Sequence, residues 1–206
     1  MYARQRARRG AVAVLLCAIV GLAGCGRSAP PVGEPGEISG FIGGAAADAP
    51  RAAIIARDVL SGGGTAVDAS VAAYFTLAVS YPVAAGLGGG GVCMVYDAPS
   101  ETASSLEFLP RSPAAGGPVA VPGAVRGMAA LHARYGRFDW EDLLGPAERF
   151  AREGHSVSRA LTGALARSAP QILANQEMRA IFGRDEGLVE EGQMLVQIEL
   201  GAFIRQ

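Results

Sequence analysis

Two glycine-rich stretches, SGGGTAVDASVAA at residues 61–73 and GLGGGGVCMVYD at residues 86–97, decide how the chain folds. The first ends a predicted helix at residues 49–61 and begins a second at residues 65–80, because glycines let the backbone leave the helical conformation. The second helix is apolar on nearly every face, which predicts that it is buried. Its one charged residue, Asp68, lies in the first turn, where the helix dipole favours a carboxylate.

A strand hairpin is predicted directly after the second glycine-rich stretch. The apolar run at residues 92–96 is typical of a strand, and a turn at residues 97–100 leads to a second strand around residues 106–108. After a loop rich in Pro and Gly, the rest of the chain is predicted to be helical, with helices at 125–135, at 139–153 and after Ser158. This order predicts an α+β fold with an early strand hairpin and a mostly helical remainder.

The glycines at residues 86–91 formally match the G-x-G-x-x-G dinucleotide fingerprint. In that motif a strand leads into the glycines and a helix follows, so that free N–H groups at the helix start bind a pyrophosphate. Here a helix precedes the glycines and a strand follows them, so a nucleotide is not expected to bind. The favoured interpretation is that the glycines let this backbone pass close to another backbone segment or to a substrate.

Composition and charge exclude two broad classes of protein. The 206 residues include 18 Lys+Arg and 19 Asp+Glu, a net charge of −1, so no domain-wide positive field is available for a nucleic-acid partner. Half of the residues are hydrophobic, which excludes a disordered chain. We therefore expect a folded protein that does not bind nucleic acid.

No complete catalytic or metal-binding set of residues is recognised by its spacing. His132 and His155 lack Cys or carboxylate partners at ligand spacing, so they are interpreted as surface or capping residues, and neither a metal nor a cofactor is expected. Cys93 lies inside an apolar strand and is interpreted as an unreactive core thiol. Asp139 is predicted to cap a helix, with Asp142 at the third helical position.

Residues 1–24 are predicted to be an export signal. Four arginines precede an apolar core at residues 11–22, which is too short to span a bilayer. The core ends in Leu22-Ala23-Gly24-Cys25, which resembles the lipobox of bacterial lipoproteins, where the signal is cut before the cysteine and the cysteine is acylated. The alternative is an ordinary secretory signal that happens to contain a cysteine.

A lipid on Cys25 would hold the protein at a membrane. Residues 25–37 contain three prolines and are interpreted as a lipid-anchored linker that separates the folded part from the membrane. Residues 38–206 form the predicted folded part. The expected location is the bacterial cell envelope, with the protein facing the periplasm or the exterior.

The chain resembles the gamma-glutamyltranspeptidase family in ordered segments between about residue 40 and residue 201. SGGGTAVDASVAA at residues 61–73 is similar to the family's GGNAVDAAVAA, and residues 86–97 are similar to its GIGGGGF…VYD. Further similar segments are AVPGAVRG at 120–127, YG at 135–136 with Trp140 and LL at 143–144, VS at 157–158, and EG at 191–192 with Gln197, Glu199 and Leu200.

The resemblance implies part of an αββα N-terminal-nucleophile hydrolase fold. Members of the family are precursors that cut themselves into a large and a small subunit, and the new N-terminal threonine of the small subunit is the nucleophile. It attacks a γ-glutamyl amide such as glutathione and passes the acyl group to water or to an amino acid. Residues 38–206 match the N-terminal part of the large subunit, so this chain is expected to be truncated, to hold no catalytic residue and to need a small subunit as partner.

One segment departs from the family's pattern. The family has FRE-x-AP after the second strand, and its arginine binds the α-carboxylate of the γ-glutamyl group. Here residues 108–113 read FLPRSP, so Leu109 stands at the arginine position and Arg111 follows two residues later. Arg111 either reaches the same pocket or is a solvated loop arginine.

Two functions therefore stay open. The first is a gamma-glutamyltranspeptidase-like hydrolase and acyltransferase that acts on γ-glutamyl amides and of which this chain is an incomplete part. The second is a non-catalytic, membrane-anchored lipoprotein that keeps half of the fold as a binding or remnant module.

Overall fold

The computed structural model describes residues 43–117, 119–185 and 187–206, so the predicted signal at 1–24, Cys25 and the linker at 25–37 lie outside the described residues. The described elements are, in chain order, α1 (Pro50–Ser61), α2 (Ala66–Ser80), α3 (Pro82–Ala85), β1 (Val92–Asp97), β2 (Thr102–Glu107), α4 (Ala124–Tyr135), α5 (Trp140–Glu153), β3 (His155–Ser156), α6 (Arg159–Arg167), α7 (Ala169–Ala174), α8 (Gln176–Phe182), β4 (Gly183–Arg184), β5 (Gly187–Leu188), β6 (Met194–Leu195) and α9 (Ile198–Ile204).

Helix α2 is the buried centre of the fold, as its composition predicts. Ten of its 15 residues are buried, and they lie on every side of the helix. The chain enters α2 from α1 through three glycines, of which Gly63 has φ +93°, a left-handed conformation that an L side chain rarely adopts. Pro50 occupies the first turn of α1, where its missing N–H leaves no hydrogen bond unmade.

The start of α2 is fixed by a reciprocal pair of hydrogen bonds. The Asp68 backbone N–H donates to Thr65 Oγ1 at 3.1 Å, and the Thr65 backbone N–H donates to Asp68 Oδ2 at 2.8 Å. The backbone N–H of Arg137 also donates to both carboxylate oxygens of Asp68, at 3.0 and 3.1 Å. Asp68 is fully buried, so its carboxylate ties the start of α2 to the loop that follows α4.

Two apolar clusters are buried in the described part of the chain. The first packs α2 against α4 and α5 and consists of Val67, Val71, Ala72, Phe75, Val79, Met128, Leu131, Leu143, Leu144, Ala147, Ala151 and Ile204. The second joins the later helices to the short strands and consists of Val157, Leu161, Leu165, Ile172, Phe182, Val189 and Leu195.

Strands β1 and β2 form an antiparallel hairpin with one packed face and one exposed face. Cys93 lies opposite Leu106 in the register, and both side chains pack against the first apolar cluster. Because successive side chains of a strand point to opposite faces, their neighbours in β1 point away from the core. These are Val92, Met94 and Tyr96, which are 61%, 76% and 66% exposed.

The later part of the chain differs from the prediction in two details. Asp139 is the N-terminal cap residue of α5, but its side chain makes no capping hydrogen bond, so the predicted side-chain cap is wrong. Two further antiparallel sheets, β3–β6 and β4–β5, join strands of two residues each. Strands this short carry no alternation of apolar and polar residues by which a sequence could reveal them. The α+β class is confirmed.

None of the helices in the described ranges is both long enough and apolar enough to cross a bilayer.

Replacing Asp68 is expected to destabilise the fold strongly. Asp68→Ala leaves the partly buried N–H groups of Thr65 and Arg137 without their acceptor, which should lower the free energy of unfolding by about 3 kcal/mol. Asp68→Asn keeps one oxygen acceptor and should cost less. Urea unfolding followed by circular dichroism measures both values. Asp58→Ala, an exposed carboxylate on the neighbouring helix, is the matched control, and equal stability of the Asp58 and Asp68 variants would contradict the assignment.

Candidate functional site

The loop after β2 is held in place by three glycines packed around Phe108. A Cβ atom added at Gly90 or at Gly123 would overlap the carbonyl oxygen of Phe108, and one added at Gly127 would overlap its ring. Two backbone segments and a helix therefore approach this residue more closely than any side chain would allow. This confirms the prediction that the glycines serve a close approach of backbone to backbone.

Backbone hydrogen bonds join the same segments. The Phe108 N–H donates to the carbonyl of Gly91 at 2.9 Å, which extends the hairpin by one residue pair. The N–H groups of Gly123 and Ala124 both donate to the carbonyl of Gly89, at 3.1 Å each. The glycine-rich loop, the end of β2 and the start of α4 thus form one fixed unit, and the loop carrying Leu109 and Arg111 leaves from it.

Arg111 has a backbone fixed by hydrogen bonds and an exposed side chain. Its N–H donates to the carbonyl of Val121 at 3.2 Å, and the Val121 N–H donates back at 2.8 Å. Its side chain is 77% exposed, and its Nη2 atom lies 3.5 Å from Oε1 of Glu107. Leu109, at the position of the family's arginine, is 46% exposed.

The exposed face of the hairpin borders this arginine. Glu107 lies opposite Val92 in the β1–β2 register, so its side chain is on the same face as Met94 and Tyr96. Glu107 and Arg111 therefore form a pair of opposite charges at the edge of an exposed apolar face. A planar guanidinium and a carboxylate in this position are suited to bind a small polar or zwitterionic ligand.

The two histidines lie elsewhere, and the interpretation as a surface or capping residue is wrong for His155, which is buried. His155 is only 4% exposed and stacks on Phe150 with ring centroids 4.7 Å apart, and burial lowers its pKa. His132 is half-buried, and its Nε2 atom is 2.7 Å from the carbonyl oxygen of Phe138 and 3.8 Å from Oδ1 of Asp68. Within the described ranges, no three His, Cys, Asp or Glu side chains are grouped so that they could hold a metal ion.

Cys93 is half-buried against the first apolar cluster, and burial raises the pKa of its thiol. A raised pKa keeps the thiol protonated at neutral pH, so it is a poor nucleophile. This agrees with its interpretation as an unreactive core residue.

A groove of about 1170 Å³ lies between α1 and α5, and no sequence pattern predicted it. Its lining includes Ile55, Leu143, Phe150 and His155, and it includes no residue of the hairpin or of the Arg111 loop. The groove is therefore a separate feature from the charge pair at the hairpin edge.

Comparisons with known proteins show the family of this chain. The model of the family Gamma-glutamyltranspeptidase matches residues 52–206. The chain belongs to the gamma-glutamyltranspeptidase family. Scoloptoxin SSD14 of Scolopendra dehaani is 32% identical over 179 residues, which cover 78% of this chain and 31% of that protein. Glutathione hydrolase 3 of Arabidopsis thaliana is 30% identical over 171 residues, which cover 75% of this chain and 27% of that protein.

The crystal structure of Helicobacter pylori gamma-glutamyltranspeptidase superposes on 79% of this chain and 53% of its own, with a TM-score of 0.74 and 29% identity. This likeness confirms the expected partial N-terminal-nucleophile hydrolase fold. The chain spans about a third or less of the length of the two curated relatives above. The matched region of this gamma-glutamyltranspeptidase family member includes the glycine-rich loop, the hairpin and Arg111.

The close packing around Phe108 predicts different effects of two glycine substitutions in one loop. Gly90→Ala adds a Cβ against the Phe108 carbonyl and should lower the free energy of unfolding by about 1–3 kcal/mol. Gly88→Ala is the matched control, because a Cβ there meets no atom within 4 Å. Urea denaturation measures both changes. Equal stability of the two variants would show that the close approach is not required.

Proposed function

We propose that this chain contributes the N-terminal part of the large subunit of a γ-glutamyl hydrolase and acyltransferase. Its own residues would bind and orient the γ-glutamyl end of an amide such as glutathione. The observation that carries the proposal is Arg111, which extends an exposed guanidinium from the loop directly after β2, two residues beyond the family's arginine position.

The loop geometry supports Arg111 as the residue that binds the substrate's α-carboxylate. Pro110 and Pro113 limit the backbone torsions on both sides, and the two hydrogen bonds to Val121 fix the backbone between them. A guanidinium has five N–H donors and can bind a carboxylate through two parallel hydrogen bonds. Glu107 is the ion-pair partner found for Arg111 in the described part of the chain, at 3.5 Å. Donors of Arg111 thus remain available to a ligand.

The exposed face of the hairpin supports a second subunit as partner. Val92, Met94 and Tyr96 form an apolar row on a strand whose other face packs on helices. In an αββα sandwich a second sheet covers such a face at about 10 Å. We propose that the small subunit supplies this sheet together with the nucleophilic threonine.

The proposed reaction uses that threonine as nucleophile and its own α-amine as base. The hydroxyl oxygen attacks the γ-carbonyl carbon, its proton passes to the amine and then to the leaving nitrogen, and the C–N bond breaks. Water or the amine of an amino acid then attacks the acyl-enzyme and restores the free threonine. In this scheme Arg111 takes no part in bond changes, and it holds the substrate in the reactive position.

A second candidate function follows from Leu109. An apolar side chain at the position of the family's arginine is the observation that favours a non-catalytic envelope protein. The two candidates differ in one measurement, because only the first predicts turnover of a γ-glutamyl anilide when this chain is assembled with a threonine-bearing small subunit. The 206-residue chain alone should give no turnover in either case.

We also propose that Cys25 carries a lipid that anchors the protein in the bacterial cell envelope. Cys25→Ser should abolish acylation and move the protein from the membrane fraction to the soluble fraction, because stable anchoring needs the acyl chains. Cys17→Ser is the matched control, since Cys17 lies within the predicted signal and would be removed. Fractionation and mass spectrometry of the mature N-terminus measure the outcome, and an unmodified Cys25 in the mature wild-type protein would refute the proposal.

Arg111→Lys keeps the positive charge but loses the planar fork of N–H donors. In the assembled enzyme it should lower kcat/KM for a γ-glutamyl anilide by roughly tenfold to over a hundredfold. Arg126→Lys, an exposed arginine on α4, should leave kcat/KM unchanged. If Arg111→Lys and Arg111→Ala both match the wild type, Arg111 is an ordinary surface residue.

A further inference from the structure

We infer that Tyr74 is a positioning residue for Arg111, to which it is connected through backbone hydrogen bonds of the glycine-rich loop at residues 86–91. The inference rests on the proposed function, in which Arg111 binds the substrate's carboxylate, and extends it to a side chain of α2. Tyr74 is not a catalytic residue, because it acts on the reaction only through the backbone that carries Arg111.

The hydroxyl of Tyr74 joins α2 to the start of the glycine-rich loop. Its ring is half-buried against the first apolar cluster and meets Phe75 edge to face, with ring centroids 5.4 Å apart. The hydroxyl donates to the carbonyl oxygen of Gly86 at 3.1 Å. Burial raises the pKa of Tyr74, so the phenol keeps the proton that it donates at neutral pH. A phenylalanine would make the same apolar contacts but would lack this hydrogen bond.

The carbonyl that accepts from Tyr74 also closes a turn. The N–H of Gly89 donates to the same Gly86 oxygen at 3.0 Å, and a carbonyl oxygen has two lone pairs, so it can accept both bonds. Leu87, within the turn, packs against the first apolar cluster. The Tyr74 hydroxyl therefore fixes one end of a turn whose other end is Gly89.

Hydrogen bonds continue from this turn to Arg111. The carbonyl of Gly89 accepts from the N–H groups of Gly123 and of the next residue, at 3.1 Å each. Pro122, whose ring restricts φ, joins Gly123 to Val121. Val121 in turn exchanges two backbone hydrogen bonds with Arg111, at 3.2 and 2.8 Å. The point from which the Arg111 side chain extends thus depends on the position of the turn.

Loss of the Tyr74 hydroxyl should weaken the binding of substrate more than the chemical step. Without its second partner the turn can shift, and with it the region that the Arg111 guanidinium can reach. Binding a carboxylate through two parallel hydrogen bonds is sensitive to such shifts. In the proposed reaction the carboxylate is bound alike before and during bond breaking, and loss of such an interaction raises KM with little change in kcat.

Tyr74→Phe tests the inference in the assembled enzyme. It should raise KM for a γ-glutamyl anilide by roughly 2- to 10-fold, the effect of one neutral hydrogen bond, with little change in kcat. The matched control is Tyr135→Phe, which removes a phenol hydroxyl from another half-buried ring of the same cluster and should leave both constants unchanged. The temperature of thermal unfolding of each variant shows whether the fold is retained.

The double variant separates a positioning role from a structural one. If Tyr74 acts through Arg111, Tyr74→Phe should add little to the KM of an enzyme that already carries Arg111→Lys, because coupled residues are not additive. Full additivity of the two changes would show that Tyr74 does not act through Arg111. A fall in kcat at unchanged KM would also overturn the inference.

Failure of the proposed function gives a different result. If the assembled wild-type protein does not turn over the anilide, the enzymatic proposal is refuted, and amide hydrogen exchange of the 206-residue chain decides the inference about Tyr74. Tyr74→Phe should then speed exchange at Gly89, Val121 and Arg111 by roughly 2- to 10-fold and leave Ala147 of α5 unchanged. Unchanged exchange at Val121 and Arg111, or an equal increase at Ala147, would contradict it.

Discussion

The carboxylate of Asp68 is the interaction on which the described fold depends. It is fully buried, and it accepts hydrogen bonds from the backbone of Thr65, three residues before it, and of Arg137, 69 residues after it. The first contact fixes where α2 begins, and the second fixes the chain that joins α4 to α5. Since the first apolar cluster is formed mainly by these three helices, the carboxylate also fixes the surface on which the β1–β2 hairpin packs.

A second constraint, the close packing around Phe108, fixes the candidate site relative to these helices. Three glycines surround Phe108, and its ring packs against the same apolar cluster. Because protein interiors are closely packed, a residue held on three sides has little freedom to move. The loop that starts at Leu109 therefore leaves the core from a fixed point, and Val121 fixes it again two residues later. A backbone held in this way fixes the point from which the Arg111 side chain extends, which limits the region that its guanidinium can reach.

The features that follow from local chemistry could be predicted from the sequence. Three glycines end α1, an apolar composition buries α2, and a carboxylate in the first turn favours the helix start. The contact between Asp68 and Arg137 could not be predicted, because no local pattern specifies which distant N–H group a buried carboxylate will meet. The burial of His155 was missed for a related reason. It follows a helix end, a position usually exposed, but in the structure it stacks on Phe150 and pairs with Leu195 of β6.

In the proposed assembly, the apolar contact that holds the second sheet on the hairpin also changes the environment of the binding site. Each large apolar side chain that is fully buried contributes about 1.5–3 kcal/mol. The row Val92, Met94 and Tyr96 therefore favours the packing of a second sheet. The same contact removes water from Arg111 and lowers the local dielectric, so its guanidinium interacts more strongly with a bound carboxylate than it does on the open face. Substrate binding and assembly would thus be coupled through one surface, since the hairpin face that is exposed among the described residues also borders the proposed binding site.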